Sequence, residues 1–158
     1  VFYTINDADG GEASGLEAEL QWFATDALEL YAAAGLLRSR LGARGRDLAH
    51  APRYSLAAGA TYRHSSGFFA RLDATATDAF YFDVSYDQES EAYSLLHARV
   101  GFENENWRLY LWGRNLADEY YAVRGFYFGN EPPDFPATLY TRGGDPRHVG
   151  LTIERRFY

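Results

Sequence analysis

The sequence predicts an all-β chain whose antiparallel strands are built to cross a membrane. Three observations carry that prediction. Segments of roughly ten residues alternate apolar and polar side chains, the links between them alternate short and long, and aromatic residues gather beside the short links. Thirteen Tyr, eleven Phe and three Trp make 17% of the chain, yet its mean hydropathy is negative. That combination suits strands with one apolar face and one polar face, bounded by belts of amphipathic rings. No stretch approaches the ~18 consecutive apolar residues of a membrane-spanning helix.

About eight segments read as strands: 1–6, 14–24, 27–39, 53–64, 68–78, 91–103, 107–117 and 147–157. In the second, Leu16, Ala18, Leu20 and Trp22 alternate with Glu17, Glu19 and Gln21. The fifth is the clearest, with Phe68, Ala70, Leu72, Ala74 and Ala76 set against Arg71, Asp73, Thr75 and Thr77. In the sixth, Leu96, Ala98, Val100 and Phe102 oppose His97, Arg99 and Glu103, and in the last Val149, Leu151, Ile153 and Phe157 oppose Thr152, Glu154 and Arg156. One stretch competes with this reading. Between Gly15 and Leu41, Leu20, Phe23, Ala27, Tyr31 and Ala34 also fit a helical stripe. Strands are expected there because Thr25-Asp26 divides the stretch into two spans of bilayer-crossing length.

Thr25-Asp26, Ser65-Ser66-Gly67 and Asn104-Glu105-Asn106 form tight polar links, whereas 40–52, 79–90 and 118–146 are long. Membrane barrels have short turns on the periplasmic side and long loops outside, and this polarity puts the C-terminus on the periplasmic side. Trp22 and Phe23, Phe68 and Phe69, Phe102 and Trp107, and Phe157 and Tyr158 then fall at one height, as an interfacial girdle requires.

The inward face is expected to carry Glu17, Glu19, Arg71, Asp73, Arg99, Arg108, Arg114, Glu154 and Arg156, lining a wet lumen where opposite charges pair across strands. Net charge is -7 and no basic patch stands out, so no nucleic-acid partner is expected. The chain has no cysteine, which excludes disulfides and thiolate metal sites. His50, His64, His97 and His148 are scattered without ligand spacing, so no metal site and no cofactor are predicted. No nucleophile elbow or phosphate cradle occurs, and the chain is not expected to be an enzyme, with no catalytic residues assigned. The candidate ligand-binding residues are aromatic. Phe80-Tyr81-Phe82 and Phe126-Tyr127-Phe128 lie in long outer links, where rings offer stacking area or, alternatively, pack the loops onto one another.

Several short motifs resemble the C-terminal third of TonB-dependent outer-membrane receptors. Asn115-Leu116-Ala117-Asp118-Glu119-Tyr120-Tyr121 resembles the family's Asn-Leu-Phe-Asp-x-x-Tyr element, with Ala117 in place of the usual Phe. Gly144-Asp145-Pro146-Arg147 resembles the Gly-x-Pro-Arg before the final strand, His50-Ala51-Pro52-Arg53-Tyr54 matches a common strand entry, and 149–157 is similar to the terminal strand with its closing aromatic. Two departures are Tyr158 after Phe157, and Arg155 on the lipid side near the end, where it can snorkel.

The resemblance implies that 1–158 is the C-terminal segment of an about 22-stranded barrel, with the plug domain outside this chain. It implies the outer membrane of a Gram-negative bacterium and a receptor for a ferric siderophore, with cobalamin, haem or an oligosaccharide as other ligands of that type. The implied partners are outer-membrane lipid, TonB acting through the plug, and the barrel-assembly machinery reading the last strand. Two other readings stay open on the residues alone: a self-contained eight-stranded membrane barrel with a structural or adhesive role, and a soluble lipocalin-like binding module, which the charged inner face disfavours.

Overall fold

The computed structural model describes residues 10–42 and 45–157. The expected strand at 1–6 and the terminal Tyr158 lie outside the described residues. Among the described residues there are nine strands: β1 (Gly11–Phe23), β2 (Leu28–Leu41), β3 (Tyr54–Arg63), β4 (Phe68–Thr77), β5 (Tyr93–Glu103), β6 (Trp107–Arg114), β7 (Ala122–Gly129), β8 (Ala137–Gly143) and β9 (His148–Arg155). Seven form one antiparallel sheet in the order β1-β2-β3-β4-β5-β6-β9, and β7 and β8 form a separate hairpin. The stretch with the helical stripe is thus a strand pair, registered from Gly11↔Leu41 to Phe23↔Glu29. The hairpin lies within the 118–146 link and was not among the expected strands.

The turns have local causes. Thr25 Oγ1 accepts the Ala27 and Leu28 amides at 3.2 and 3.0 Å, and Asn104 Oδ1 accepts those of Asn106 and Trp107 at 3.0 and 2.8 Å. Short polar side chains that close on nearby backbone favour turns over continued strand. Gly67 turns the β3–β4 link at a φ of 93°, a value that favours glycine.

Register makes the alternation a property of the whole sheet. Leu16 faces Leu36, Ala34 faces Leu56, Ala60 faces Leu72, Ala70 faces Val100, Phe102 faces Leu109, and Leu109 faces Ile153. Directly opposed residues share a face, so all of these lie on one side. That side is bare: Leu16, Leu72, Leu111, Leu151 and Ile153 are all exposed. The large apolar residues buried among the described residues are Phe80 and Phe82, both outside the sheet. An apolar face that lies open, with no apolar core behind the sheet among the described residues, is a surface that calls for an apolar partner. From Phe68 to Ala76 the apolar band runs about 27 Å along β4 at ~3.4 Å per residue, or ~20 Å across a membrane at the usual tilt of about 40°.

At the short-turn end of this face stand Trp22, Tyr62, Phe68, Phe102, Trp107 and Phe157, all exposed. Phe23 and Phe69, expected in the same belt, alternate onto the other face; Phe69 packs edge-on to Tyr110 there at 6.1 Å. Tyr62 takes a belt position that the sequence reading missed. Arg155 lies opposite Trp107 on the apolar face, with its guanidinium 5.1 Å from the Trp107 ring and 4.8 Å from the Phe157 ring. Two rings therefore hold the charge at the short-turn end of the apolar band.

The opposite face is polar. Arg71 binds Asp73 through Nε and Nη2 at 2.8 to 3.0 Å, and the Tyr31 hydroxyl donates to Asp73 Oδ1 at 2.8 Å. Gly59 lies beneath this group, where a Cβ would collide with the Tyr31 ring and the Asp73 carboxylate. Arg108 reaches Glu103 at 2.5 Å and Glu154 at 3.9 Å, and Arg63 reaches Glu29 at 3.5 Å. Arg71 and Asp73 pair within β4, and of the charges expected on this face Arg108 and Glu154 are the two that pair with each other across strands among the described residues.

Candidate ligand-recognition site in the outer loops

The three long links emerge from one end of the sheet and pack together. Arg46, in the β2–β3 link, reaches into the β4–β5 link. Its guanidinium donates to the carbonyls of Tyr86 (2.8 Å) and Asp83 (3.2 Å), to that of Val84, and to the Asp87 carboxylate. Its side chain is only 10% exposed, and it lies 4.9 Å from the Tyr81 ring centroid. A cation surrounded by carbonyls, a carboxylate and an aromatic face joins two loops that share no strand pairing with each other. The His50 amide donates to the Tyr81 carbonyl at 2.9 Å, and the His50 ring lies 5.4 Å from Phe80.

The β4–β5 link in turn supports the β7–β8 hairpin. Phe82 packs against Gly125 so closely that a Cβ at that position would overlap its ring. Tyr86 stacks on Tyr127 at 3.5 Å between centroids, and the Tyr127 hydroxyl donates to Gln88. Burial raises the Tyr127 pKa above its ordinary value, with the neighbouring Tyr86 and loop acids adding to it, and a hydrogen bond to Glu89 raises that of Tyr81. Both phenols stay protonated donors through neutral pH.

The base of the hairpin is held by the two motifs singled out in the sequence. Asn115, 2% exposed and at a φ of 48°, donates from Nδ2 to the carbonyls of Glu119 (2.9 Å) and Asp145 (3.0 Å) and accepts the Glu119 amide at 2.9 Å. Asp118 accepts the Arg147 amide at 2.9 Å and pairs with its guanidinium at 3.5 Å. The Asn-Leu-Ala-Asp and Gly-Asp-Pro-Arg elements, some thirty residues apart, thus close one knot between the end of β6 and the start of β9. The hairpin is clamped where it leaves the sheet.

The six candidate residues divide by environment. Phe80 (8% exposed) and Phe82 (5%) meet edge-on at 5.8 Å and form the interior of the loop cluster. Tyr81 and Tyr127 are half-buried at the contacts between loops, while Phe126 (49%) and Phe128 (58%) face solvent. Alternation along β7 explains the split: Gly125 and Tyr127 face the β4–β5 link, and Arg124, Phe126 and Phe128 face away from it. On that outer side Phe126 stacks on Tyr140 at 5.9 Å and Arg124 lies opposite Arg142. Arg46, Tyr86, Tyr140, Arg124 and Arg142 were missed as candidates. A usable signal existed for the last three: Phe126-Tyr127-Phe128 and Thr138-Leu139-Tyr140-Thr141 are strand-forming runs separated by a Pro-Pro turn.

A family model described as TonB dependent receptor-like, β-barrel, matches residues 1–116. The chain belongs to this family. Solved receptors of similar architecture extend the likeness over the remaining strands. The ferric yersiniabactin uptake receptor FyuA from Yersinia pestis superposes with a TM-score of 0.81 at 20% identity, covering 94% of this chain and 24% of that one. The ferric-catecholate import receptor Fiu from E. coli K12, in its closed form, gives 0.71 at 18% identity, covering 93% and 21%. Its open form gives 0.68 at 16% identity, covering 90% and 20%. The TonB-dependent receptor segment seen here therefore spans less than a quarter of the length of these proteins, and at such identities the likeness carries the fold.

Proposed function

We propose that these strands are the C-terminal segment of a Gram-negative outer-membrane receptor that takes up a ferric siderophore or a similar nutrient complex. In this reading a plug domain elsewhere in the intact protein fills the lumen and is engaged by TonB, and β9 with Phe157 addresses the barrel-assembly machinery. The observation that carries the proposal is the outer cluster: three links tied into one body by Arg46, Phe82 and Tyr127, above a sheet whose other parts only face lipid or lumen. Barrel insertion alone does not require such a cluster, whereas preorganised loops on a rigid scaffold are how recognition is usually built.

Within the cluster, Phe126 and Phe128 are the ligand-facing rings, Tyr81 and Tyr127 contribute edges and hydroxyls, and Phe80 and Phe82 hold the loops in shape. The experiment is growth of a receptor-deficient strain on a siderophore as sole iron source, with the intact protein supplied in trans. Replacing Phe126 and Phe128 by Ala should weaken binding while leaving the heat-modifiable, inserted barrel unchanged. Replacing Tyr81 and Phe82 should weaken it by disordering the loops. Unchanged affinity in all four variants would return the rings to a purely packing role.

A further inference from the structure

The apolar face of the sheet carries arginines at both of its ends, and none of them has an ion pair among the described residues: Arg155 beside the short turns, and Arg38 and Arg40 toward the long links. Trp107 and Phe157 hold Arg155, whereas no ring lies over Arg38 or Arg40 among the described residues. These two continue the outward alternation of Ala32, Ala34 and Leu36 along β2. Here β1 and β2 run on past the rest of the sheet, because the β3 ladder ends at Leu36↔Tyr54 while β1 stays paired as far as Leu41. The inward face of the projection is covered: Ser39 is buried and its hydroxyl accepts the Leu48 amide at 3.1 Å. Its outward face is left to two exposed guanidinium groups. Glu12 lies opposite Arg40 in register, yet the two form no ion pair.

Height and shape give this face a meaning. Arg38 lies about ten residues along β2 from Leu28. That is ~34 Å at ~3.4 Å per residue, or ~26 Å across a membrane at a tilt of about 40°, against an apolar band about 25 Å tall. The cations therefore stand at the outer boundary. Below them the apolar face is hollow: Leu20, Ala34, Leu56, Ala58, Ala74 and Ala76 line an open groove of about 500 Å³. Nearer the short turns the same strands carry Trp22, Leu30 and Tyr62, so the hollow belongs to the outer half of the band.

We infer that Arg38, Arg40 and this groove bind a phosphorylated, multiply acylated glycolipid of the outer leaflet, with a phosphate on the two guanidinium groups and an acyl chain along the alanines. The inference rests on the outer-membrane reading above and adds a lipid partner to it. Residues two apart on one face of a strand are ~7 Å apart, close enough for two guanidinium forks to converge on one phosphate. A phosphomonoester carries nearly two negative charges at neutral pH and so matches two cations, whereas the phosphodiester of an ordinary phospholipid carries one. The small side chains leave depth that a straight chain fills with dispersion contacts.

The test uses the intact protein in detergent, with native mass spectrometry following bound lipid through a titration. The probes are bis-phosphoryl hexa-acyl lipid A, dioleoyl phosphatidylglycerol and inorganic pyrophosphate. The wild type should bind lipid A about tenfold more tightly than either of the others. R38Q/R40Q should cost about tenfold for lipid A, while R155Q, at the opposite boundary, should leave it unchanged. E12Q should tighten binding by removing a competing carboxylate, which a merely solvated pair of arginines does not predict. A58L/A74L, which fills the groove, should weaken lipid A while the barrel stays heat-modifiable. Equal binding of lipid A and phosphatidylglycerol, or R38Q/R40Q no worse than R155Q, would overturn the site. Pyrophosphate binding as tightly as lipid A would make it a site for free phosphate, and wild-type affinity in A58L/A74L would remove the groove from it. Each of these results, with the protein still in the outer-membrane fraction, leaves the receptor reading standing. A protein that binds no lipid and fractionates as soluble would overturn both.

Discussion

Asn115 offers the sharpest test of why the family-like motif is present. Its side chain makes three hydrogen bonds that join the end of β6, the start of the hairpin region and the entry to β9, and it is 2% exposed. Replacement by Ala leaves one amide and two carbonyls without their partner. At about 1 kcal/mol for each such bond the loss is ~3 kcal/mol. The backbone adds to it. Asn115 sits at a φ of 48°, in the left-handed region that Asn tolerates and Ala does not, at a further cost of about 1 kcal/mol. N115A should therefore lower stability by ~4 kcal/mol, and N115G by about 3 kcal/mol, since glycine loses the bonds without the backbone strain. Urea unfolding of the intact protein in lipid, followed by tryptophan fluorescence, would measure both. The motif would not be a stabilising knot if N115A fell within about 1 kcal/mol of the wild type, and the strain argument would fail if N115G were the worse variant.

The two faces of the sheet should respond oppositely to charge. Leu72→Arg near the middle of the apolar band should cost about 2–4 kcal/mol in the same assay, and Thr75→Arg on the polar face about 0–1 kcal/mol; equal costs would mean the faces are wrongly assigned. Phe157→Lys should reduce membrane insertion far more than Glu154→Lys, because Phe157 belongs to the interfacial belt and Glu154 to the lumen; fractionation of both variants reads this, and equal insertion would remove the last strand as an assembly signal. Arg46→Gln should loosen two loops at once, so limited proteolysis should cut both 42–53 and 78–92 faster; cleavage confined to the first would show that Arg46 does not pin the second. The Tyr81 phenol has a folded pKa raised above 10.0 by Glu89. A raised value stabilises below the unfolded pKa and is lost as pH rises through the folded one. Loop protection should thus be flat from neutral pH to about 9 and fall above 10, a loss that Tyr81→Phe abolishes; a fall near pH 7 would point to another group.

The strands of the sheet were legible because a strand facing lipid on one side and water on the other must alternate. The pattern of Phe68, Ala70, Leu72, Ala74 and Ala76 survives unchanged as the apolar face of β4. The belt was legible only in part. Position along the chain gives the height of Phe23 and Phe69 but not their face, and register, which sets the face, is a pairing property. The hairpin escaped notice because β7 packs a glycine and a tyrosine inward and two phenylalanines outward, which reverses the usual apolar-in pattern. The knot at Asn115 was visible as a motif, yet nothing local showed that residues 115 and 145 would meet. For the same reason nothing local to the β2–β3 link singles out Arg46, whose partners lie some forty residues on.

The sheet edges decide between a small closed barrel and a larger one. β1 and β9 sit at opposite ends of the seven-stranded order and do not pair with each other. Among the described residues β1 presents thirteen residues along its unpaired side and β9 presents eight. In hydrocarbon an unpaired backbone amide or carbonyl costs several kcal/mol, so neither edge can face lipid as it stands. Joining the edges directly would leave five residues of β1 unpaired, the difference between thirteen and eight, and would force a narrow barrel to enclose Arg71, Arg99, Arg108 and Arg114 with the rings of Tyr31, Tyr110 and Trp112. An eight-stranded lumen is just filled by ordinary side chains. The polar face instead leaves an open cleft of about 720 Å³ between Tyr31, Arg99, Trp112 and Arg114. A wide barrel relieves both constraints, because further strands satisfy each edge separately and the cleft becomes one wall of a lumen large enough to hold water or protein.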